Sequence, residues 1–242
     1  MAEYLNDSIQ VKLASSNDDS KLQTRQINQM IDEKVDLLVI APNQLNTISP
    51  AINRAYDKGI PVIIYDRKAN SNKYTAFIGC DNYAIGKSMG EFIAQKLQGK
   101  GRVVEIRGLE GSSPALERHR GFMEAMKKYP GMQVVASEAG DWKEESGKKA
   151  MQRILDKTRD FDYVFSHNDR MGWGAYQVVR DKGLARNYKF TGMDAMATRN
   201  GGLELVRDGI FEASYLYPTK GDEVVALAMR ILRHQPFKRE NY

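Results

Sequence analysis

Asp66 and Arg67 stand directly after the run Val62-Ile63-Ile64-Tyr65, and Asp194 ends the stretch Lys189-Phe190-Thr191-Gly192-Met193. An ionised carboxylate accepts hydrogen bonds from two adjacent hydroxyls, and a guanidinium beside it donates a rigid fork to ring or hydroxyl oxygens. Such a set suits recognition of a polyol. Two carboxylates also suit a glycosidase, whose acid and base stand about 5 to 9.5 Å apart across the scissile bond. A sequence does not measure that gap, so both readings stay open; neither a nucleophile elbow nor a metal motif accompanies the pair.

Further groups of the same kind follow other apolar runs. Asn168 and Asp169 come after "VFSH", where a helix carrying Trp173 and Tyr176 begins. Asn offers donors and an acceptor at once, Asp169 reads as a helix cap, and Trp173 and Tyr176 read as packing residues. In "GLEGSSPALERHRGF" Ser113 reads as an N-cap and Pro114 as the first helical residue, with Arg118 one turn in on a rigid platform. Trp142, in "AGDWKEESG", offers an apolar face that can cover the carbon-bound hydrogens of a sugar ring or serve as a packing anchor.

The elements that must position these groups alternate along the chain. Short runs read as strands of parallel sheets, "IQVKLA", "VDLLVIA", "PVIIYD", "TAFIGC", "GRVVEIRG", "MQVVASEA", "DYVFSH", "YKFTGM" and "EASYLY", and the continuous apolar run in "PVIIYD" reads as one buried on both faces. Amphipathic stretches lie between them, such as the one carrying Ile85, Met89, Phe92, Ile93 and Leu97 at helical spacing before Gly99. This is an α/β pattern of βαβ units. In open α/β sheets ligands bind beyond the carboxyl ends of the strands, which is where the polar groups fall. The "GKGR" stretch at 99–102 reads as a boundary between two doubly wound lobes, and Tyr217-Pro218-Thr219 as a hinge strand returning to the first. The expected lobes are 1–99 with 218–238, and 100–217 with 239–242.

Bulk properties narrow the function. The 242 residues carry 36 basic and 31 acidic side chains in interspersed order, net +5, without the arginine-rich stripe or helix-turn-helix that nucleic-acid contact needs. Cys80 is the single cysteine and His119, His167 and His234 are scattered, so neither a disulfide nor a metal site is expected. Neither the P-loop nor the dinucleotide fingerprint occurs, and no cofactor is expected. No apolar run is long enough to span a bilayer, and "MAEYLNDSIQ" has neither a basic nor an apolar leader region, so either the protein is cytoplasmic or an export signal lies upstream.

"VIIYDRKA", "IGCDNYAIGKSMGEFI", "GLEGSSPALERHRGF", "FSHNDRMGWGAY", "FTGMDA" and "ASYLYP" resemble, in order and spacing, the ribose-binding-protein family of periplasmic sugar-binding proteins. "YTAFIGCDNYAIG", "ERHRGFM", "NGGLELV" and "YPTKGD" are similar to the fructose-sensor domains of Bacteroides hybrid two-component systems. The resemblance implies a type I periplasmic binding fold, two lobes joined by a hinge that close on a monosaccharide without doing chemistry on it, in the periplasm. It implies sugar contacts at Asp66, Arg67, Arg118, Trp142, Asn168, Asp194 and Tyr217; many relatives carry Gln at the last position, and Ala41 stands where ribose binders carry Asn, with Asn43 nearby. It further implies that the family's first strand and closing strand lie outside this sequence, leaving the N-terminal lobe incomplete, and that "MAEYLNDS" ends a helix. A solute-binding component of a sugar transporter and the effector domain of a lac-repressor-type regulator share this fold and remain alternatives. A homodimer through the sensor domain stays open, and membrane contact is expected only through segments outside this chain.

Overall fold

The computed structural model describes residues 9–242. The expectation of a helix end within "MAEYLNDS" lies outside the described residues. The chain is α/β and falls into two compact units: one holds residues through Cys80 with Gly111–Ser113 and Thr219–Tyr242, the other Asp81–Glu110 with Pro114–Pro218.

The first unit is built on a parallel sheet of order β1-β2-β3-β9, comprising β1 (Leu38–Ile40), β2 (Val62–Tyr65), β3 (Ala76–Ile78) and β9 (Glu240–Asn241). β2 and β3 are buried almost throughout, as strands covered on both faces must be. α1 (Ser20–Asp32) starts where the Asp19 carboxylate accepts from the Lys21 and Leu22 N–H groups, and it turns Ile27 and Ile31 inward. It packs with α2 (Ser49–Asp57), whose Pro50 occupies the first turn, over Leu38, Ile40, Val62 and Ile64. On the other face α8 (Gly221–Leu232) sets Val224, Leu227 and Ile231 against Ile63, Ala76 and Ile78.

The second unit carries a five-stranded parallel sheet of order β5-β4-β6-β7-β8, from β4 (Lys100–Arg107), β5 (Gly131–Ala139), β6 (Tyr163–Ser166), β7 (Lys189–Asp194) and β8 (Ala213–Leu216). α5 (Glu144–Lys157) and α6 (Asp169–Asp181) pack with Val104, Ile106, Val164 and Phe190 in one core; the short α7 (Gly202–Arg207) adds Leu205. α3 (Asn82–Lys96) and α4 (Ser113–Lys127) contact one another closely through glycines. A Cβ at Gly86 would stand 2.1 Å from the Arg118 carbonyl oxygen, and one at Gly121 2.1 Å from that of Tyr83.

Three expectations need correction. Residues 9–14, "IQVKLA", form no strand. A strand exists only through its ladder, and β1, the sheet's outer strand, pairs only with β2 among the described residues; Val39 is 45% exposed and Leu13 89%. The first crossing falls at Cys80–Asp81 and not at 99–102, because the glycine contacts bind α3 to α4. Residues 239–242 belong with the first unit: Phe77 N–H donates to the Arg239 carbonyl (2.7 Å) and Gly79 N–H to that of Asn241 (3.0 Å).

Candidate functional site

In the second unit, Arg118 is 3% exposed. Its Nε donates to Asn82 Oδ1 (2.9 Å) and its Nη1 to the carbonyl of His167. The guanidinium lies over two rings, Tyr217 at 4.9 Å and Trp142 at 5.4 Å from the ring centres. A buried cation is thereby met by carbonyl and carboxamide oxygens and by the negative faces of two aromatics.

Trp142 is held from several sides. Its ring lies against Gly108, where a Cβ would stand 1.9 Å from Cη2, so only glycine fits at that strand end. Its carbonyl accepts from Asn168 Nδ2 (3.1 Å), and its ring tilts against that of His167 at 6.5 Å. Asn168 Oδ1 also accepts the Met171 N–H (2.9 Å), making Asn168 the N-cap of α6. This corrects the expectation that Asp169 caps that helix. Asp169, fully buried, reaches the other way: Oδ1 accepts from Ser214 Oγ (2.6 Å), Oδ2 from the N–H groups of Gly202 (2.9 Å) and Met196 (3.1 Å). Burial pushes its carboxyl up, against the pull of those donors. Asp169 thus ties β8 and the start of α7 to the loop after Asp194. The Tyr217 N–H donates to the Asp194 carbonyl at 3.5 Å.

Beneath these groups sits a charged cluster inside the sheet. Glu105, on β4 and fully buried, takes Ser137 Oγ from β5 (2.6 Å), His119 Nδ1 from α4 (2.8 Å) and His167 Nε2 beyond β6 (3.0 Å). Burial would raise its carboxyl, but the bonds from His119, His167 and Ser137 outweigh burial and hold it well below the usual carboxylate range. The Glu105 bond raises His119, whereas burial lowers His167.

In the first unit, Asp66 and Arg67 follow β2. Arg67 lies 3.9 Å from the Asp66 carboxylate and 4.0 Å from that of Asp18, and its Nη1 donates to the Asn43 carbonyl at 3.5 Å. Asn43 is itself engaged, its Nδ2 donating to Ser16 Oγ (3.0 Å) and its N–H accepted by Gln23 Oε1 (3.0 Å). Ser113, expected as an N-cap, opens α4, and its hydroxyl accepts the Lys68 N–H (2.6 Å).

The structure sets the Arg118 guanidinium over the rings of Trp142 and Tyr217, ties Asn168 to the Trp142 carbonyl and places Asp194 beside the Tyr217 backbone. Asp66 and Arg67 adjoin one another in the first unit. Asp66 (φ 62°), Trp142 (φ 66°) and Asp194 (φ 104°) all have left-handed backbone. Strained non-glycine residues cluster where a surrounding frame holds a functional group in place. Asp18 (φ 67°), Asn82, Glu105, Gly108, His167 and Asp169 belong to these surroundings and were not singled out from the sequence as site residues. Glu105 left a signal, a lone carboxylate within Val103-Val104-Glu105-Ile106.

A family model described as a periplasmic binding protein domain matches residues 1–236. The ribose import binding protein RbsB of Bacillus subtilis is 32% identical over 175 residues, covering 72% of this chain and 57% of that protein. The galactofuranose-binding protein YtfQ of Escherichia coli is 30% identical over 183 residues, covering 73% and 58%. The chain thus spans a little over half the length of these curated relatives. Among solved structures, the fructose-binding periplasmic domain of a hybrid two-component system superposes with TM-score 0.96 at 42% identity, over 99% of this chain and 80% of that one. A Mycobacterium smegmatis protein in complex with β-D-fucofuranose gives 0.91 at 29% identity, over 99% and 80%.

Proposed function

Since the chain belongs to the periplasmic binding protein domain family, we propose that it is a periplasmic sensor domain that binds a monosaccharide, fructose or a close relative, and passes occupancy to a histidine kinase. The single observation that carries the fructose and sensor assignment is the 42% identity with a fructose-binding domain of a hybrid two-component system, over nearly the whole chain. The geometry supplies the chemistry. Arg118 is pre-set by Asn82 and His167, so little side-chain freedom is lost when its remaining N–H donors meet a sugar oxygen. Trp142 presents an aromatic surface suited to the carbon-bound hydrogens of a sugar ring. Asn168 uses each end of its carboxamide once and keeps a second N–H and a second lone pair for hydroxyls. Asp66, Arg67, Asp194 and Tyr217 are proposed as further sugar contacts.

These groups hold a polyol by hydrogen bonding and stacking, and no bond of the sugar is made or broken. Signalling follows if the sugar binds one conformation of the domain more tightly than another. The test is a phosphorylation assay on the full-length gene product in membranes. D-fructose changes histidine phosphorylation several-fold if the reading is right. A full-length product without a kinase, or a kinase indifferent to every sugar that the domain binds, overturns it. The second reading, a solute-binding component of a sugar importer, is favoured by the ribose import relatives at 30% identity and above. Loss of sugar uptake on deletion of the gene would support it.

A further inference from the structure

The ring state of His167 follows from its two neighbours. The Gly108 backbone N–H lies 3.3 Å from His167 Nδ1, and a peptide N–H can only donate. Nδ1 must therefore accept, which leaves the proton on Nε2, 3.0 Å from Glu105 Oε1. The ring is fully buried and neutral, with both nitrogens satisfied. The same residue's carbonyl receives Arg118 Nη1, and the next residue, Asn168, holds the Trp142 carbonyl.

We propose that Glu105 is a positioning residue for the sugar site: by accepting from His167 Nε2 it fixes the ring, and through it the strand ends that aim Arg118 and Trp142. Glu105 touches no ligand. It joins β4 to the β6–α6 turn, to β5 through Ser137 and to α4 through His119. The ionisable groups facing this cluster are His119 and Arg118 from α4, His167 from the β6–α6 turn and Arg107 from β4 itself, with Ser137 of β5 as an uncharged donor. An oriented partner behind a functional side chain is the usual means of holding its geometry to a fraction of an ångström. A buried carboxylate at this point of an apolar strand costs desolvation, and so requires such a reason.

The inference rests on Arg118 and Trp142 being sugar contacts, as proposed above, and the experiment separates the two claims. Nitrogen-15 NMR of the histidine rings in the ligand-free domain shows His167 in the Nε2–H form from pH 6 to 8. Two variants divide reach from charge. Glu105→Gln keeps an oxygen at the same distance without the charge, and retains the Nε2–H form and D-fructose affinity within about threefold. Glu105→Asp keeps the charge but draws back by one methylene; it loses the single ring form and binds at least about fivefold more weakly, as expected when a preset geometry loosens. A parent domain with His167 in the Nδ1–H or doubly protonated form overturns the inference without any variant. So does the opposite order of the two variants, both folded by thermal melting. If the parent binds no sugar, the proposed function fails, and the ring states of parent and Glu105→Asp decide the positioning role alone.

Discussion

The indole of Trp142 rests on the backbone of Gly108: a single added carbon at Gly108 would fall 1.9 Å from ring atom Cη2. The end of β4 therefore acts as a floor for the aromatic that follows β5. The ring's orientation depends on the absence of a side chain two strands' loops away in sequence.

Gly108→Ala should consequently displace the ring. We expect an overpacking cost of about 1–3 kcal/mol and a fall in sugar affinity of tenfold or more. Calorimetric titration gives the affinity, and Trp142 fluorescence in a Trp173→Phe background reports the ring. Parental affinity with an unchanged spectrum would contradict the packing argument.

The Arg118 guanidinium lies over the rings of both Tyr217 and Trp142, so the Tyr217 contribution is divisible into face and hydroxyl. Tyr217→Phe keeps the face and should retain the stability of Arg118's surroundings. Tyr217→Ala should lose about 0.5–2 kcal/mol of unfolding free energy in urea. Should Tyr217→Phe bind sugar as weakly as Tyr217→Ala, the hydroxyl is itself a sugar contact. Should it bind as the parent does, the ring is what matters.

Asp169→Ala strands the Gly202 and Met196 N–H groups and the Ser214 hydroxyl in a buried region. At about 1–3 kcal/mol for each donor left unpaired, denaturant unfolding should register a loss of 3 kcal/mol or more. Ser214→Ala, which removes one partner of Asp169 and leaves the Ala195 N–H without the acceptor it has in the Ser214 hydroxyl (3.0 Å), should cost less than that. Equal costs for the two would mean that the backbone bonds contribute little.

The histidines predict a pH profile. Glu105 raises His119 in the folded state, so the contribution of His119 is complete below its unfolded value near 6.5 and is lost as pH rises through the folded value. Burial lowers His167, so its cost appears as pH falls below about 6.5. Glu105, held low, contributes fully above its unfolded value near 4.5, and that contribution is lost progressively as pH falls from there toward the folded value. Thermal unfolding should therefore show highest stability near neutral to slightly acid pH, declining on the alkaline side through His119. His119→Gln should remove that alkaline decline and leave the acid limb in place. Superimposable curves above pH 6.5 would contradict the role given to the Glu105–His119 bond.

Much of the fold was legible because a strand covered on both faces must be apolar without interruption. "PVIIYD" and "DYVFSH" carry that signature and form β2 and β6. Residues 9–14 instead alternate apolar with polar residues, Gln10 and Lys12 interrupting the run, a strand-like pattern too, yet pairing is a property of neighbours, and β1 offers them no ladder. β9 left no apolar signature, since Glu240 and Asn241 join the sheet through backbone pairing and polar side-chain bonds, Asn241 Nδ2 to the Phe77 carbonyl (3.0 Å) and Tyr74 hydroxyl to Glu240 Oε1 (2.7 Å). The crossing at Cys80–Asp81 was hidden because helix–helix approach at Gly86 and Gly121 links residues some 35 positions apart. At the site, residue types at strand ends pointed to Arg118, Trp142 and Asn168. They could not show that Asn168, not its neighbour Asp169, caps α6, because both residue types cap equally well.

The central claim, that this domain holds a monosaccharide through its strand-end carboxylates and Arg118, is tested most directly by calorimetric titration of the domain with a panel of ketoses, aldohexoses and pentoses. Asp66→Asn and Asp194→Asn are titrated alongside; asparagine tolerates the left-handed backbone at both positions, so only the charge is removed. The account predicts saturable one-to-one binding of D-fructose or a close relative by the parent, weakened at least about tenfold in each variant. Silence toward every sugar by a folded parent, or variants that bind as the parent does, would contradict it.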